Sequence, residues 1–288
     1  MNDPLPAVVS TDWLAARLGT SGIRVVDASW YLPGSARDGA AEYRAGHIPG
    51  AVFFDIDAVS DQKSPLPHML PPAADFAANM ARLGLNDSDT LVIYDGSGVN
   101  LSAARVWWTF RTFGHEHGAV LNGGMGKWRA EQRPVEQGTV SLPPGSFTAR
   151  LDAGAVRDLA AVRANVVTGS EQLVDARPRG RFEGVEPEPR PGLRGGHVPG
   201  SINLPYTELV GPDGTLLPPE TLRRRLDEAG VDLNRPVVAT CGSGTSACAL
   251  VLSLHSIGHS QTAVYDGAWS EWGARADTPV ETHSPHDN

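Results

Sequence analysis

Val237-Val238-Ala239-Thr240-Cys241-Gly242-Ser243-Gly244-Thr245-Ser246-Ala247 reads as a buried strand ending in a cysteine, then a loop of small residues, then the first turn of a helix. Beyond the loop, Ala247, Leu250, Val251, Leu254 and Ile257 recur at helical spacing, and Gly258 supplies a stop. Cys241 therefore falls where a strand runs out and a helix N-terminus begins. Backbone N–H groups of a tight glycine-containing loop converge there and, with the helix dipole, favour an anion. A thiol in such a cradle is favoured as the thiolate, which is the reactive form. The expectation is sulfur chemistry at Cys241.

Outward from this stretch, the chain repeats itself. Val25-Val26-Asp27-Ala28 returns as Leu173-Val174-Asp175-Ala176, and Gly46-His47-Ile48-Pro49-Gly50 as Gly196-His197-Val198-Pro199-Gly200. Leu91-Val92-Ile93-Tyr94-Asp95-Gly96-Ser97-Gly98 returns as Val237 through Gly244, with Asp95 opposite Cys241, and Gly123-Gly124-Met125-Gly126-Lys127-Trp128 as Gly267 through Trp272. Four blocks in one order, at a period far too long for a solenoid, mean two homologous domains. In the first half, β-branched runs at 23–26, 52–54, 91–94 and 119–121 alternate with helical patterns at 11–18, 74–83 and 102–113. In the last of these, Val106, Trp107, Phe110 and Phe113 share a face. Such alternation predicts an α/β fold: in each half a mainly parallel sheet flanked by helices, with ligands beyond the carboxyl ends of the strands. The expected organisation is a first domain over 1–135, a linker over 136–153, a second domain over 154–278 and a tail over 279–288. The stretch 129–154 is polar and rich in Gly and Pro, as befits a linker, and 277–288 reads as poorly packed.

The 288 residues suffice for two domains, and 41% hydrophobic with 20% charged residues describes a globular protein. A net charge of −9 argues against nucleic-acid or anionic-membrane partners. No apolar run is long enough to span a bilayer, and Met1-Asn2-Asp3-Pro4-Leu5-Pro6 has neither the basic nor the apolar part of a signal peptide. Two cysteines make neither a disulfide framework nor a zinc site, and a reducing cytoplasm fits them best. Cys248, on the helix after the loop, reads as inert. In the first half Asp95 stands where the cysteine would be, so that half is expected to be catalytically silent.

An anionic substrate needs fixed cations, and guanidinium matches a planar carboxylate. The segment 177–194 offers Arg177, Arg179, Arg181, Arg190 and Arg194; the first half has only Arg37 and Arg44 in the equivalent region. Residue chemistry alone does not choose among the five. His47 and His197, in the turn repeated by both halves, read as turn-fixing residues.

The loop Cys241-Gly242-Ser243-Gly244, the doubled His-x-Pro-Gly, Gly180-Arg181-Phe182-Glu183-Gly184 and Pro187-Glu188-Pro189-Arg190 resemble the 3-mercaptopyruvate sulfurtransferases, two-domain members of the rhodanese superfamily. The likeness extends to Phe53-Phe54-Asp55-Ile56-Asp57 and His68-Met69-Leu70-Pro71. It implies two tandem rhodanese-like domains and transfer of sulfane sulfur from 3-mercaptopyruvate, through a persulfide on Cys241, to a thiol or cyanide acceptor, with release of pyruvate. It implies no metal or organic cofactor. The partners it implies are a small anionic donor and a thiol acceptor such as thioredoxin, a small thiol or cyanide. By the resemblance, Arg181 and Arg190 hold the substrate's carboxylate and ketone oxygens, and Gly242, Gly244, Thr245 and Ser246 cradle it. Ser243, His68 and Asp57 form a Ser–His–Asp constellation that deals with the leaving enolate, two of its members coming from the first half of the sequence. Thiosulfate-preferring rhodaneses usually carry Arg and Lys after the cysteine, where this loop has Gly242 and Ser243. The departure from the family is at Thr245-Ser246, where Val-Thr is usual.

Three other readings compete. Thiosulfate is the main rival donor. A cysteine phosphatase needs Cys-x5-Arg, and the residue at that place is Ala247. A non-enzymatic sulfur carrier has no use for Arg181 and Arg190.

Overall fold

The computed structural model describes residues 5–32 and 34–282. Residues 283–288 of the expected tail, and the first four residues, lie outside the described residues. The chain divides into two compact units, one of residues 1–63, 70–152 and 210–216, the other of 64–69, 153–209 and 217–288. Each unit includes one short segment from the opposite half of the sequence.

The first unit runs β1 (Val8–Val9), α1 (Thr11–Ala15), β2 (Ile23–Asp27), α2 (Gly39–Ala45), β3 (Val52–Phe53), α3 (Ile56–Val59), α4 (Ala73–Arg82), β4 (Thr90–Tyr94), α5 (Leu101–Thr112), β5 (Gly118–Leu121) and α6 (Gly124–Ala130). The second runs β6 (Val156–Arg157), α7 (Leu159–Thr168), β7 (Gln172–Asp175), α8 (Arg179–Phe182), β8 (Ile202–Asn203), α9 (Pro219–Glu228), β9 (Val237–Thr240), α10 (Thr245–Ser256), β10 (Thr262–Tyr265) and α11 (Ala268–Trp272). The sheets are ordered β1-β5-β4-β2-β3 and β6-β10-β9-β7-β8, with every strand pair parallel. Both expected sheets are present.

In the second sheet β9 is central, paired through Ala239 to Val174 of β7 and to Val264 of β10. All four of its residues are buried, as a strand covered on both faces requires. The chain proceeds outward from β7 to β8 on one side and from β9 to β10 on the other. The order reverses between β7 and β9, and at such a switch point the loops after the two strands diverge and leave a crevice. The cysteine loop follows β9, and the arginine-rich segment follows β7.

Two local expectations change. The helix at 102–113 is buried beyond the face of Val106, Trp107, Phe110 and Phe113: every residue of α5 except Arg111 is buried, and α10 is buried from Ala247 through Leu254. A helix enclosed on all sides hides its periodicity. The stretch read as linker, and residues 277–282 of the stretch read as tail, are straps hydrogen-bonded to their own units. In the first unit His47 and Glu136 exchange backbone hydrogen bonds of 2.9 and 2.8 Å, Gly145 N donates to Ala81 O at 2.8 Å, and Phe147 is buried against Phe76 and Phe110. In the second, His197 and Glu281 exchange the same pair at 2.8 and 3.0 Å, and Trp272 Nε1 donates to Pro279 O at 2.7 Å. Gly and Pro here set an extended path rather than a loose one. The repeated histidines act in the turns as expected: His47 Nδ1 bonds Tyr43 O and His197 Nδ1 bonds Phe182 O, each at 2.8 Å.

Candidate active site

Cys241 is the first residue after β9 and is only 2% exposed. Burial alone is the mark of an inert thiol, so the surroundings decide. The carbonyls of Cys241 and Gly242 both face α11, accepting from Trp269 N and Ser270 N at 2.9 Å; Ser270 Oγ adds a 2.6 Å bond to Gly242 O. In a trans peptide the C=O and the following N–H point opposite ways. The N–H groups of Gly242 and Ser243 are therefore turned to the other side of the loop. Gly244, at φ 79°, makes the turn into α10 as its N-cap, a left-handed conformation that favours glycine. Cys248 differs in kind: its thiol donates to Gly244 O at 3.2 Å from within the buried helix, so its proton is already engaged.

The first unit contains the same loop with an anion in it. Asp95 Oδ1 accepts from Ser97 N at 2.8 Å, and Oδ2 from Ala103 N at 2.8 Å. Ser97 Oγ and Ser102 Oγ complete the shell at 2.5 and 3.3 Å. A strand-end anion beneath a helix N-terminus is thus satisfied by main-chain amides in this architecture.

The structure sorts the five arginines. Arg177 is fully buried and structural: it forms a fork with Asp175, bonds Glu188 Oε1 at 2.7 Å and Gly196 O at 2.8 Å, and lies over Trp269. Arg194 caps the end of α11, donating to Trp272 O, Gly273 O and Thr278 O. Arg179 is exposed beside Glu183. Arg181, on α8, is set against the cysteine loop: a Cβ on Gly242 would lie 2.9 Å from its Nη2. Its guanidinium is anchored by Glu188, whose other oxygen is held by Arg177. Arg190 is half-buried in the irregular segment after α8.

Ser243 is buried in the loop and Ser246 is half-buried in the first turn of α10. Thr245 is the first residue of that helix, and its Oγ1 lies 3.2 Å from Nδ1 of His68. His68 thus belongs to the second unit, although its place in the sequence assigns it to the first half. Asp57 belongs to the first unit, where its carboxylate accepts from Trp30 Nε1 at 2.9 Å.

Two residues escaped the sequence reading. Glu188 holds Arg181 at the loop; it was visible only as part of the Pro-Glu-Pro-Arg motif. Tyr206, in the turn after β8, shares the field of the site: burial raises the pKa of its phenol, Arg181 opposes the rise and Cys241 adds to it. No signal in the sequence sets this tyrosine apart. Among the described residues no group of three or more His, Cys, Asp or Glu could hold a metal ion, and no helix is long and apolar enough to cross a membrane.

The model of the Rhodanese-like domain matches residues 10–131 and again 158–275. The 3-mercaptopyruvate sulfurtransferase of Escherichia coli (strain K12) is 45% identical over 274 residues, which cover 95% of this chain and 97% of that protein. A thiosulfate sulfurtransferase of Cricetulus griseus is 43% identical over 282 residues, 96% of this chain and 94% of that one. Among solved structures, SseA from Escherichia coli, described as a 3-mercaptopyruvate sulfotransferase with the rhodanese fold, superimposes with a TM-score of 0.85. It is 41% identical, and the match covers 93% of this chain and 100% of that one.

Proposed function

Because this chain belongs to the rhodanese-like domain family in both of its halves, we propose that it is a sulfurtransferase that takes sulfur from 3-mercaptopyruvate onto Cys241 and passes it to a thiol or cyanide. The observation that carries the assignment is the meeting of the cysteine loop with α8: Cys241 follows the central strand, and the Arg181 guanidinium lies against the next residue, Gly242. A nucleophile and a fixed cation face one small anion there.

The thiolate of Cys241 attacks the sulfur of 3-mercaptopyruvate. An S–S bond forms as the C–S bond breaks, and the electron pair of that bond leaves on carbon as the enolate of pyruvate. Arg181 and Arg190 hold the carboxylate and ketone oxygens, so negative charge gathering on the enolate meets guanidinium. Ser243 gives the enolate its proton and His68 replaces the proton on Ser243, which yields pyruvate. An acceptor thiolate or cyanide then attacks the outer sulfur of the persulfide, and the S–S pair returns to Cys241. The loop residues Gly242, Gly244, Thr245 and Ser246 wall the donor. The acceptor is cyanide, a small thiol or a protein thiol of the thioredoxin kind, and a reducing compartment such as the cytoplasm keeps Cys241 and Cys248 free.

Steady-state release of pyruvate from 3-mercaptopyruvate tests this, with parallel initial-velocity lines expected for double displacement. Cys241→Ser abolishes turnover, and Cys241 gains one sulfur atom by mass when donor is added without acceptor. Pyruvate release by Cys241→Ser would refute the assignment. Asp57→Asn tests the part the resemblance gives that carboxylate. Thiosulfate is the rival donor, in view of the thiosulfate sulfurtransferase relative. A loop with Gly242 and Ser243 brings no cation of its own to the sulfur, and suits a donor whose charge lies several atoms away. The ratio of kcat/KM for the two donors decides between them.

A further inference from the structure

We propose that Thr245 is a positioning residue for His68, holding the imidazole by its Nδ1 through the whole proton-transfer cycle. This rests on the reading of the site given above. His68 and Thr245 are both buried, and their Nδ1 and Oγ1 atoms lie 3.2 Å apart. Two further observations show that the pairing is built in. His68 has φ 59°, in the left-handed region that a residue with a Cβ occupies at a cost of about 1–3 kcal/mol unless its surroundings hold it. Thr245 stands at the first position of α10, where the N-cap is Gly244 and no side chain caps the helix. Its hydroxyl is thus turned to the histidine instead of closing its own helix.

The chemistry of the hydroxyl explains the choice of residue. A proton donor that is used and reloaded passes between imidazole and imidazolium, and Nδ1 changes between acceptor and donor as it does so or as its tautomer changes. A carboxylate or carbonyl at Nδ1 can only accept. A hydroxyl does both: it donates to a bare Nδ1 and accepts from Nδ1–H. Thr245 therefore keeps the ring in place in either state. A valine there has the same shape and does neither.

The experiment compares wild type, Thr245→Val and Thr245→Ser. Pyruvate release gives kcat and KM, and nitrogen-15 NMR of the histidine rings, with the His68 signals assigned by their loss in His68→Gln, gives the tautomer. Thr245→Val lowers kcat about tenfold with KM for 3-mercaptopyruvate within about twofold, and the His68 ring changes from one tautomer to a mixture. Thr245→Ser restores both readouts, which a residue that only fills space would not do. Thr245→Val with unchanged kcat and unchanged His68 signals would overturn the proposal. A wild-type protein that releases no pyruvate overturns the underlying reading as well, and is distinguished by the first measurement alone.

Discussion

The carboxylate of Asp95 accepts the backbone N–H of Ala103 at 2.8 Å, placing an anion beneath the N-terminus of α5 in the half that lacks the cysteine. Ser97 N converges on the same carboxylate, so the loop satisfies a negative charge with amides of its own. Asp95 replaces the nucleophile and stabilises what remains. Asp95→Ala leaves the buried N–H of Ala103 and the half-buried N–H of Ser97 without their acceptor, at a cost of about 1–3 kcal/mol for the buried one and less for the other. A fall in the denaturation midpoint equivalent to about 2–3 kcal/mol is expected, with pyruvate release retained. An unchanged midpoint would mean that the loop amides find other partners and that the anion nest is not a property of this fold.

Gly242 owes its identity to Arg181. A Cβ at that position would stand 2.9 Å from Nη2, and the flexible end of the arginine must give way. Gly242→Ala displaces the guanidinium from the loop without touching the thiol. The expected result is a KM for 3-mercaptopyruvate raised about tenfold, with kcat changed less, the mark of lost binding shared by ground and transition states. Arg181→Ala should raise KM further. A KM that stays put in both variants would remove Arg181 from substrate binding.

The two arginines tied by Glu188 divide labour. Arg177 is saturated by Asp175, Glu188 and Gly196 O, whereas Arg181 has Nη2 both on Glu188 and against Gly242 of the loop. Removing the shared carboxylate takes one of two acidic partners from the buried Arg177 and the Glu188 anchor from the partly buried Arg181. Glu188→Ala is expected to cost about 3–5 kcal/mol, the range for breaking a buried pair from one side. Glu188→Gln keeps the shape and one acceptor oxygen and should cost less. Equal and small losses in chemical denaturation would show that the pair is held by its surroundings alone.

How much of this was legible beforehand depends on whether a feature is local. The strand, loop and helix around Cys241 were readable because a β-branched run, three small residues and an apolar helix lie in one continuous stretch. The five arginines were not separable: Arg177, Arg181 and Arg194 differ only in partners, Glu188, Gly242 and Thr278 among them, that the fold brings from elsewhere. Membership of His68 in the second unit is likewise a matter of topology, and its place in the chain misleads. Polar, proline-rich composition reads as a linker at 129–154 and as poor packing at 277–288, because composition does not reveal whether backbone groups, those of 136 and 278–281 among them, find partners.

Acid should weaken the fold through its buried histidines. Burial lowers the pKa of both His115 and His197 from 6.5. The unfolded chain then takes up protons first as pH falls, so stability is whole above 6.5 and declines below it towards the folded values. Denaturation midpoints should drop between pH 7.5 and 5.5. His115 sits among Phe110 and Phe147, and His115→Phe removes one titrating group while keeping an aromatic ring. That variant should show a shallower decline, and an identical slope would assign the effect to other groups.

The two straps are one device used twice, and the second invites a direct test. Glu136 Oε2 accepts from Gly50 N at 2.9 Å while its backbone pairs with His47; Glu281 Oε2 accepts from Gly200 N at 3.1 Å while its backbone pairs with His197. Each strap thus closes over the Gly-His-x-Pro-Gly turn of its own unit. In the second unit the strap also supplies Pro279 O to Trp272 and Thr278 to Arg194. A loose tail could be cut without consequence, but ending the chain at Ala276 removes all of these partners and leaves the buried Trp272 indole N–H unsatisfied. With each lost bond worth about 1 kcal/mol net, truncation should destabilise the second unit by about 3 kcal/mol or more. Glu281→Ala removes one half-exposed side-chain acceptor and spares the backbone pair, so it should cost about 1 kcal/mol or less. That gradation separates a strap from a tail: if the truncated chain unfolds at the same denaturant concentration as the whole one, the hydrogen bonds at 278–281 contribute nothing to the fold.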